Sequence, residues 1–161
     1  MKAVAILSFL LSIVAFLHHD NSKIVEDSLA DVVATKYLVY RSAALKHVLT
    51  SGVQAGEIET RTVDNQLYIG SVPLINNFRF INNRVWHTYV QNGVCYIYGA
   101  LSPKEMNLVK DKLLNSYLVG FVHNGFLVND LGGGKIAIPD HVTQTQIPAG
   151  RYLFVSVTNV H

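Results

Sequence analysis

The chain has 161 residues, a formal net charge of only +2 at neutral pH and a mean hydropathy of +0.26. No Lys/Arg cluster rises above ordinary surface density, which argues against nucleic acid as a partner. Cys95 is the single cysteine, so no disulfide can form within the chain; it sits inside a strand pattern and reads as buried.

The first segment decides where the rest of the protein lives. Ala3 to Leu17 carries no charge, and Val4, Ile6, Leu7, Phe9, Leu10, Leu11, Ile13, Val14, Phe16 and Leu17 supply its apolar bulk. Lys2 stands in front and His18-His19-Asp20 closes it. The run is about 15 residues, roughly 22 Å as a helix, whereas a full membrane span usually wants about 20 residues. It therefore also fits the core of a secretory signal. No Ala-x-Ala cleavage pattern occurs, and a cut after Ala15 would put Ile13 where a small residue is preferred. We read residues 1–20 as an uncleaved anchor, with Lys2 and neutral His18 and His19 snorkelling to lengthen the span. A cleaved signal is the alternative. A buried core helix would have to be apolar on every face from residue 1. Lys2 and the amino terminus stay inside. Residues 21–161 then form one domain outside the cytoplasm, which in a bacterium is the periplasm. Its length suffices for a single core.

Ser22 to Leu49 contains no Gly or Pro and reads as a long helix, ended by Gly52. Val25, Leu29, Val32, Val39, Tyr40 and Ala43 make its apolar side. Asp31, Lys36, Arg41 and Lys46 read as a solvated face. Strand-like pieces follow around Ile58 and at Leu67-Tyr68-Ile69, while Pro73, Asn76-Asn77 and Asn82-Asn83 mark loops. Arg84 to Gly99 is the clearest local structure. Asn92-Gly93 is a two-residue hairpin turn between β-rich runs. Counting in twos puts Trp86, Thr88, Val90, Cys95 and Ile97 on one face, the expected core. Val85, His87, Tyr89, Val94, Tyr96 and Tyr98 share the other, which is aromatic with polar tips. That face is either covered by a helix or offered to a partner, and Tyr89, Tyr96 and Tyr98 are the candidate contact residues.

Ser102-Pro103-Lys104-Glu105 opens a helix, with Ser102 as cap, Pro103 at the first position and Glu105 completing a capping box. Met106, Val109, Leu113 and Tyr117 form its stripe, and Gly120 is expected to stop it. Asn124-Gly125 predicts a second hairpin between residues 119–123 and 126–128. A Gly132-Gly133-Gly134 loop, a strand at residues 136–138, a turn at Pro148 and a last strand at residues 152–157 complete the chain. The fold expected is α+β: an N-terminal membrane segment, a long helix, a mainly antiparallel sheet and one packed helix.

Catalytic patterns are missing. Gly132-Gly133-Gly134-Lys135 lacks the earlier glycine of a phosphate loop, and Ile136 stands where a Ser/Thr would hold magnesium. His18 and His19 are adjacent and point apart on a helix. His47, His87, His123, His141 and His161 are scattered. No nucleophile elbow or Cys–His signature occurs. Asp130 and Asp140 flank the glycine loop and read as turn residues. We therefore expect neither catalysis nor a metal or cofactor.

The order of these features resembles a known family. It rests on the short hydrophobic amino-terminal segment, the long helix and the run Val85-Trp86-His87-Thr88-Tyr89-Val90-Gln91-Asn92-Gly93-Val94-Cys95-Tyr96-Ile97-Tyr98. Leu118-Val119-Gly120, the Asn124-Gly125 hairpin and Ile147-Pro148-Ala149-Gly150 before a valine-rich strand complete it. Together they resemble the small PilM proteins of type IVb (thin) pilus operons in enterobacteria and plasmids, not the actin-like proteins of the same name. The resemblance implies an inner-membrane protein with a periplasmic domain, serving pilin transport or the pilus base. Its partners would be pilins or other assembly proteins, with self-association open. Conjugation and adhesion are both compatible purposes. Two alternatives stand beside it. A minor pilin-like subunit is one, although no Gly precedes the apolar run and no Glu lies early within it. A periplasmic small-molecule binder using the glycine loop is the other.

Overall fold

The computed structural model describes residues 2–53, 55–75, 78–80, 85–114, 116, 118–129 and 135–160, with side chains described from residue 23 onward. It confirms an α+β fold. A single helix, α1 (Lys2–Ser51), runs without a break through the expected anchor and the expected long helix, so His18 to Asn21 is no interruption. At ~1.5 Å per residue it is roughly 75 Å long. Gly52, at φ +63°, supplies the left-handed cap that ends it. The side chains of residues 4–17, the candidate membrane segment, lie outside the described residues. Among the described residues no helix is long and apolar enough to cross a membrane.

A seven-stranded antiparallel sheet forms the body. Its strands are β1 (Gly56–Ile58), β5 (Trp86–Gln91), β6 (Val94–Leu101), β7 (Val119–His123), β8 (Phe126–Val128), β9 (Ile136–Ala137) and β10 (Tyr152–Asn159), in the order β1-β5-β6-β10-β7-β8-β9. The last strand thus lies in the middle, paired to β6 and β7. Both Asn-Gly hairpins form as expected, with Asn92, Gly93, Asn124 and Gly125 all at positive φ. A second sheet was not expected: β2 (Thr60–Val63), β3 (Gln66–Ile69) and β4 (Val72–Pro73) form a small three-stranded unit. Asp64 and Asn65, both at positive φ, make its hairpin turn. Pro73 lies in edge strand β4, where a missing N–H is tolerated, rather than in a loop.

The apolar side of α1 departs from expectation. Val25, Leu29 and Val32 are exposed, and Val39 and Ala43 are only partly buried. The face against the sheet is Ala30, Val33, Ala34, Tyr37, Tyr40, Ala44 and Val48. Alanines let the backbone approach, and the two tyrosines bury their rings while their hydroxyls find partners. Tyr37 donates to the Ile97 carbonyl at 2.8 Å and shares a hydrogen with Ser156 Oγ at 2.9 Å. The Tyr40 hydroxyl meets Thr60 Oγ1 at 3.1 Å and accepts from Thr88 Oγ1 at 3.3 Å. The rings pack edge-on to Trp86, which also meets Phe78 and Phe80. The charged face is likewise not simply solvated. Lys36 donates to the Arg79 carbonyl, and Arg41 reaches over the sheet to Thr158 Oγ1 at 3.0 Å.

Helix α2 (Pro103–Lys112) starts on the expected capping box, with both Ser102–Glu105 hydrogen bonds formed. Met106 and Val109 face the core, and Lys104 and Lys112 pair with Asp27 and Asp31 of α1. The helix stops at Leu113, followed by Leu114 at φ +56°. Gly120 does not end it; it lies in β7, where a Cβ would run into the Val128 carbonyl. Tyr117, Asp130 and Gly132 to Gly134 lie outside the described residues, as do the Asn76-Asn77 and Asn82-Asn83 pairs.

Gly70 sits at φ +54°, and any Cβ there would meet the His47 ring. His47 Nδ1 in turn accepts from the Ser71 N–H and holds the Ser71 hydroxyl at 3.1 Å, joining the end of α1 to the small sheet. Gly70→Ala should destabilise the fold by about 1–2 kcal/mol or more from backbone strain alone, seen as a lower denaturant midpoint. Tyr37→Phe should cost about 1–2 kcal/mol, because the Ile97 carbonyl and Ser156 lose their partner in a dry core.

Candidate interaction site

The register of the β5–β6 hairpin places Tyr89 opposite Tyr96 and His87 opposite Tyr98. Cross-strand neighbours on one face pack together, so the three candidate contact tyrosines do form one patch. The chain itself covers most of it. Residues 136–147 cross this face; Ile138, and Val142 from α3 (Asp140–Thr143), lie against Tyr96, Tyr98, Val155 and Val157. Tyr98 is 2% exposed and Tyr96 8%. These two are core residues of the folded chain, so of the two states expected for this face the covered one holds for Tyr96 and Tyr98. Only Tyr89 stays half-open at the rim. The covering turn escaped the sequence reading because α3 is one turn long; Pro139-Asp140 before apolar Val142 was its only signal.

The rim is polar and knitted. Glu57 Oε1 lies 3.2 Å from His87 Nδ1, and its Oε2 lies 3.4 Å from His141 Nε2. His87 stacks on Tyr98 and Tyr89 stacks on His141, with ring centroids 5.4 and 4.7 Å apart. One carboxylate thus ties β1, β5 and α3 together. These groups are partly exposed, so each pairing adds little stability. Burial pushes the Tyr98 phenol well above its usual range; the Glu57 charge adds to this and a hydrogen bond with Thr145 opposes it. Tyr96 is raised as well, first by burial and then by Tyr89.

The opposite face holds Trp86, Thr88, Val90, Cys95 and Ile97, all buried as expected. Burial raises the Cys95 thiol to about 12, with Arg41 pulling the other way. Among the described residues no group of three or more His, Cys, Asp or Glu is placed to hold a metal. A cleft of about 570 Å³ lies between the end of α1 and the Asn92-Gly93 turn. Its described lining is Val48, Leu49, Gly52, Val53, Ala55, Val160 and that turn, with Asn92 the only polar side chain. Among the described residues it offers no convergent set of polar groups to orient a small ligand. Four exposed apolar residues are grouped away from this cleft: Ile24, Val25, Leu29 and Val32 stand along α1 where it leaves the domain.

A protein-family model, PilM, matches residues 5–153. The chain belongs to the PilM family. The match begins inside the apolar run and ends in β10, so it takes in both Asn-Gly hairpins, nearly all of α1, and α2 and α3. No curated protein and no solved structure matches the chain. Family membership supports a role related to pilus biogenesis. The features that carried the resemblance are structural: the Val85–Tyr98 run is the hairpin beside the central strand β10, with its Trp86 face under α1.

Tyr98→Ser should cost about 3 kcal/mol or more, as large-to-small changes in a core do, while Tyr89→Ser should leave the melting temperature nearly unchanged. A contact role for the tyrosines would show the reverse, lost partner binding with stability intact. Alkaline stability follows from Cys95. The folded thiol holds its proton more tightly than the unfolded one, so its contribution is full below pH 9.0 and is lost as pH rises towards about 12. The raised Tyr37, Tyr40 and Tyr98 act in the same direction above pH 10.0. Melting temperature should hold through neutral pH and fall once pH passes 9.0, and a maleimide should label Cys95 only after unfolding.

Proposed function

We propose that this protein is a non-enzymatic component of type IVb pilus biogenesis, held in the bacterial inner membrane by residues 4–17 with its domain in the periplasm. It works in pilin transport or at the pilus base, against pilins or other assembly proteins. The observation that carries this reading is the PilM family match over residues 5–153. The uncharged run from Ala3 to Leu17 supports the membrane assignment, and its continuation into α1 makes the helix a stalk that sets the domain off the bilayer.

One observation favours a second reading. Pilins also join a hydrophobic helix to an antiparallel sheet, and α1 is unbroken, with its carboxyl-terminal part packed on the sheet. A minor pilin-like subunit would have this shape. The absence of a Glu early within the apolar run counts against that reading.

Shearing pili from cells and weighing the protein in each fraction separates the two. Full-length protein left in the inner membrane supports the anchored assembly component. Shortened protein in the sheared pili makes it a subunit instead. Leu10→Arg with Val14→Arg should release the protein from the membrane fraction and abolish piliation, since each charge at a span centre costs about 2.5–3.5 kcal/mol. Retention in the membrane would overturn the anchor.

A further inference from the structure

The exposed part of α1 has a pattern that the domain does not use. Ile24, Val25, Leu29 and Val32 are 64%, 65%, 38% and 42% exposed. They fall on one heptad. With Val25 and Val32 at a, Ser28 and Thr35 are at d, Ile24 and Asp31 at g, and Leu29 and Lys36 at e. All four a and d residues are exposed, while Ala30, Val33, Ala34 and Tyr37 on the other side of the helix are buried against the domain. The seam therefore faces away from the sheet, and two copies could meet along it with their domains on opposite sides.

We propose that this face is a docking surface for a second copy of the chain, paired in parallel and in register through α1. Charge and apolar matching choose the occupant and its direction. In a parallel pair each g residue faces the e residue of the partner's following heptad. Ile24 then meets Leu29 of the second copy, and Asp31 meets Lys36. Every exposed apolar side chain of this stretch is covered, and the flanking charges are opposite. An antiparallel pair sets g against g and e against e, which brings no Asp–Lys pairing. Asp31 already holds Lys112 at 3.0 Å but remains 57% exposed, so it can serve both lysines. Lys36 rests on the Arg79 carbonyl and the Phe78 ring, which fixes its stem beside the seam. Valine at a favours two strands. Serine and threonine at d bring the helices close but add little apolar area, so the pair is a modest one that tethering in one membrane would strengthen.

Cysteine crosslinking of the full chain in its membrane fraction tests this. The native thiol is buried and serves as the silent background. Val25→Cys and Val32→Cys should each oxidise to a species of twice the chain mass, whereas Lys23→Cys, at an outward f position, should not. Adding Val32→Asp to Val25→Cys should abolish the dimer while the melting temperature stays unchanged, because both sites are exposed in the single chain. Equal crosslinking at position 23, no dimer at 25 and 32, or an adduct with a different protein would each overturn the proposal. None of these outcomes depends on whether the protein is an assembly component or a subunit.

Discussion

The rest of the structure depends on how α1 meets the sheet. Its carboxyl-terminal half carries two tyrosines into the driest part of the molecule, and each brings a hydroxyl that must be satisfied there. Tyr37 spans from the helix to two strands at once, the Ile97 carbonyl in β6 and Ser156 in β10. Tyr40 joins Thr88 of β5 to Thr60 of the small sheet. Leucines in their place would allow the helix to slide or rotate over the sheet with little change in buried area. The hydroxyls remove that freedom, because only one rotation of α1 satisfies all four partners. Trp86 completes the arrangement by filling the space between the tyrosine rings. Its Nε1 has no hydrogen-bond partner among the described residues, and its ring is held by the contacts around it.

The central strand comes last in sequence. β10 lies between β6 and β7, and its alternation feeds both sides of the sheet: Phe154 into the α1 core, Val155 and Val157 into the core under α3. Neither core can close until the carboxyl-terminal residues have arrived. The hairpins β5–β6 and β7–β8 are local and can form early, but joining them waits on a strand from the far end of the chain. Burial of Cys95 and Tyr98 on opposite faces of one strand records this two-sided closure.

Local signals were reliable where the backbone itself imposed a requirement. Asn92-Gly93 and Asn124-Gly125 demand positive φ, and Ser102 to Glu105 is a complete cap, so both hairpins and the start of α2 were legible. The core face of β5–β6 followed from the turn by counting. The rotation of α1 was not legible in the same way. Hydrophobicity selects Val25, Leu29 and Val32 along with Tyr40, but of these only Tyr40 is buried; beside it the buried side holds Val33, Val48, three alanines and Tyr37, and the value of the two tyrosines depends on partners far away in the chain. A helix over the Tyr96 and Tyr98 face was one of its two expected states, but the segment that supplies it was not legible. A one-turn helix has no periodicity to detect, and its lid function exists only once residues 136–147 have crossed the sheet. Asp64-Asn65 did carry a turn signal, but without glycine it is a weaker one.

The rotation of α1 follows from how the helix divides its residues between two faces. A long amphipathic segment was expected to use its largest apolar residues against its own domain. Instead α1 divides along its length. From Ala30 onward the buried side is narrow, small and aromatic, and above it the large aliphatic residues stand on the other side of the helix, clear of the sheet. Solvated valines and isoleucine at heptad spacing contribute nothing to the single chain, and they expose it to nonspecific association. A surface that does nothing for the monomer yet matches itself in both shape and charge has its physical account in the paired state.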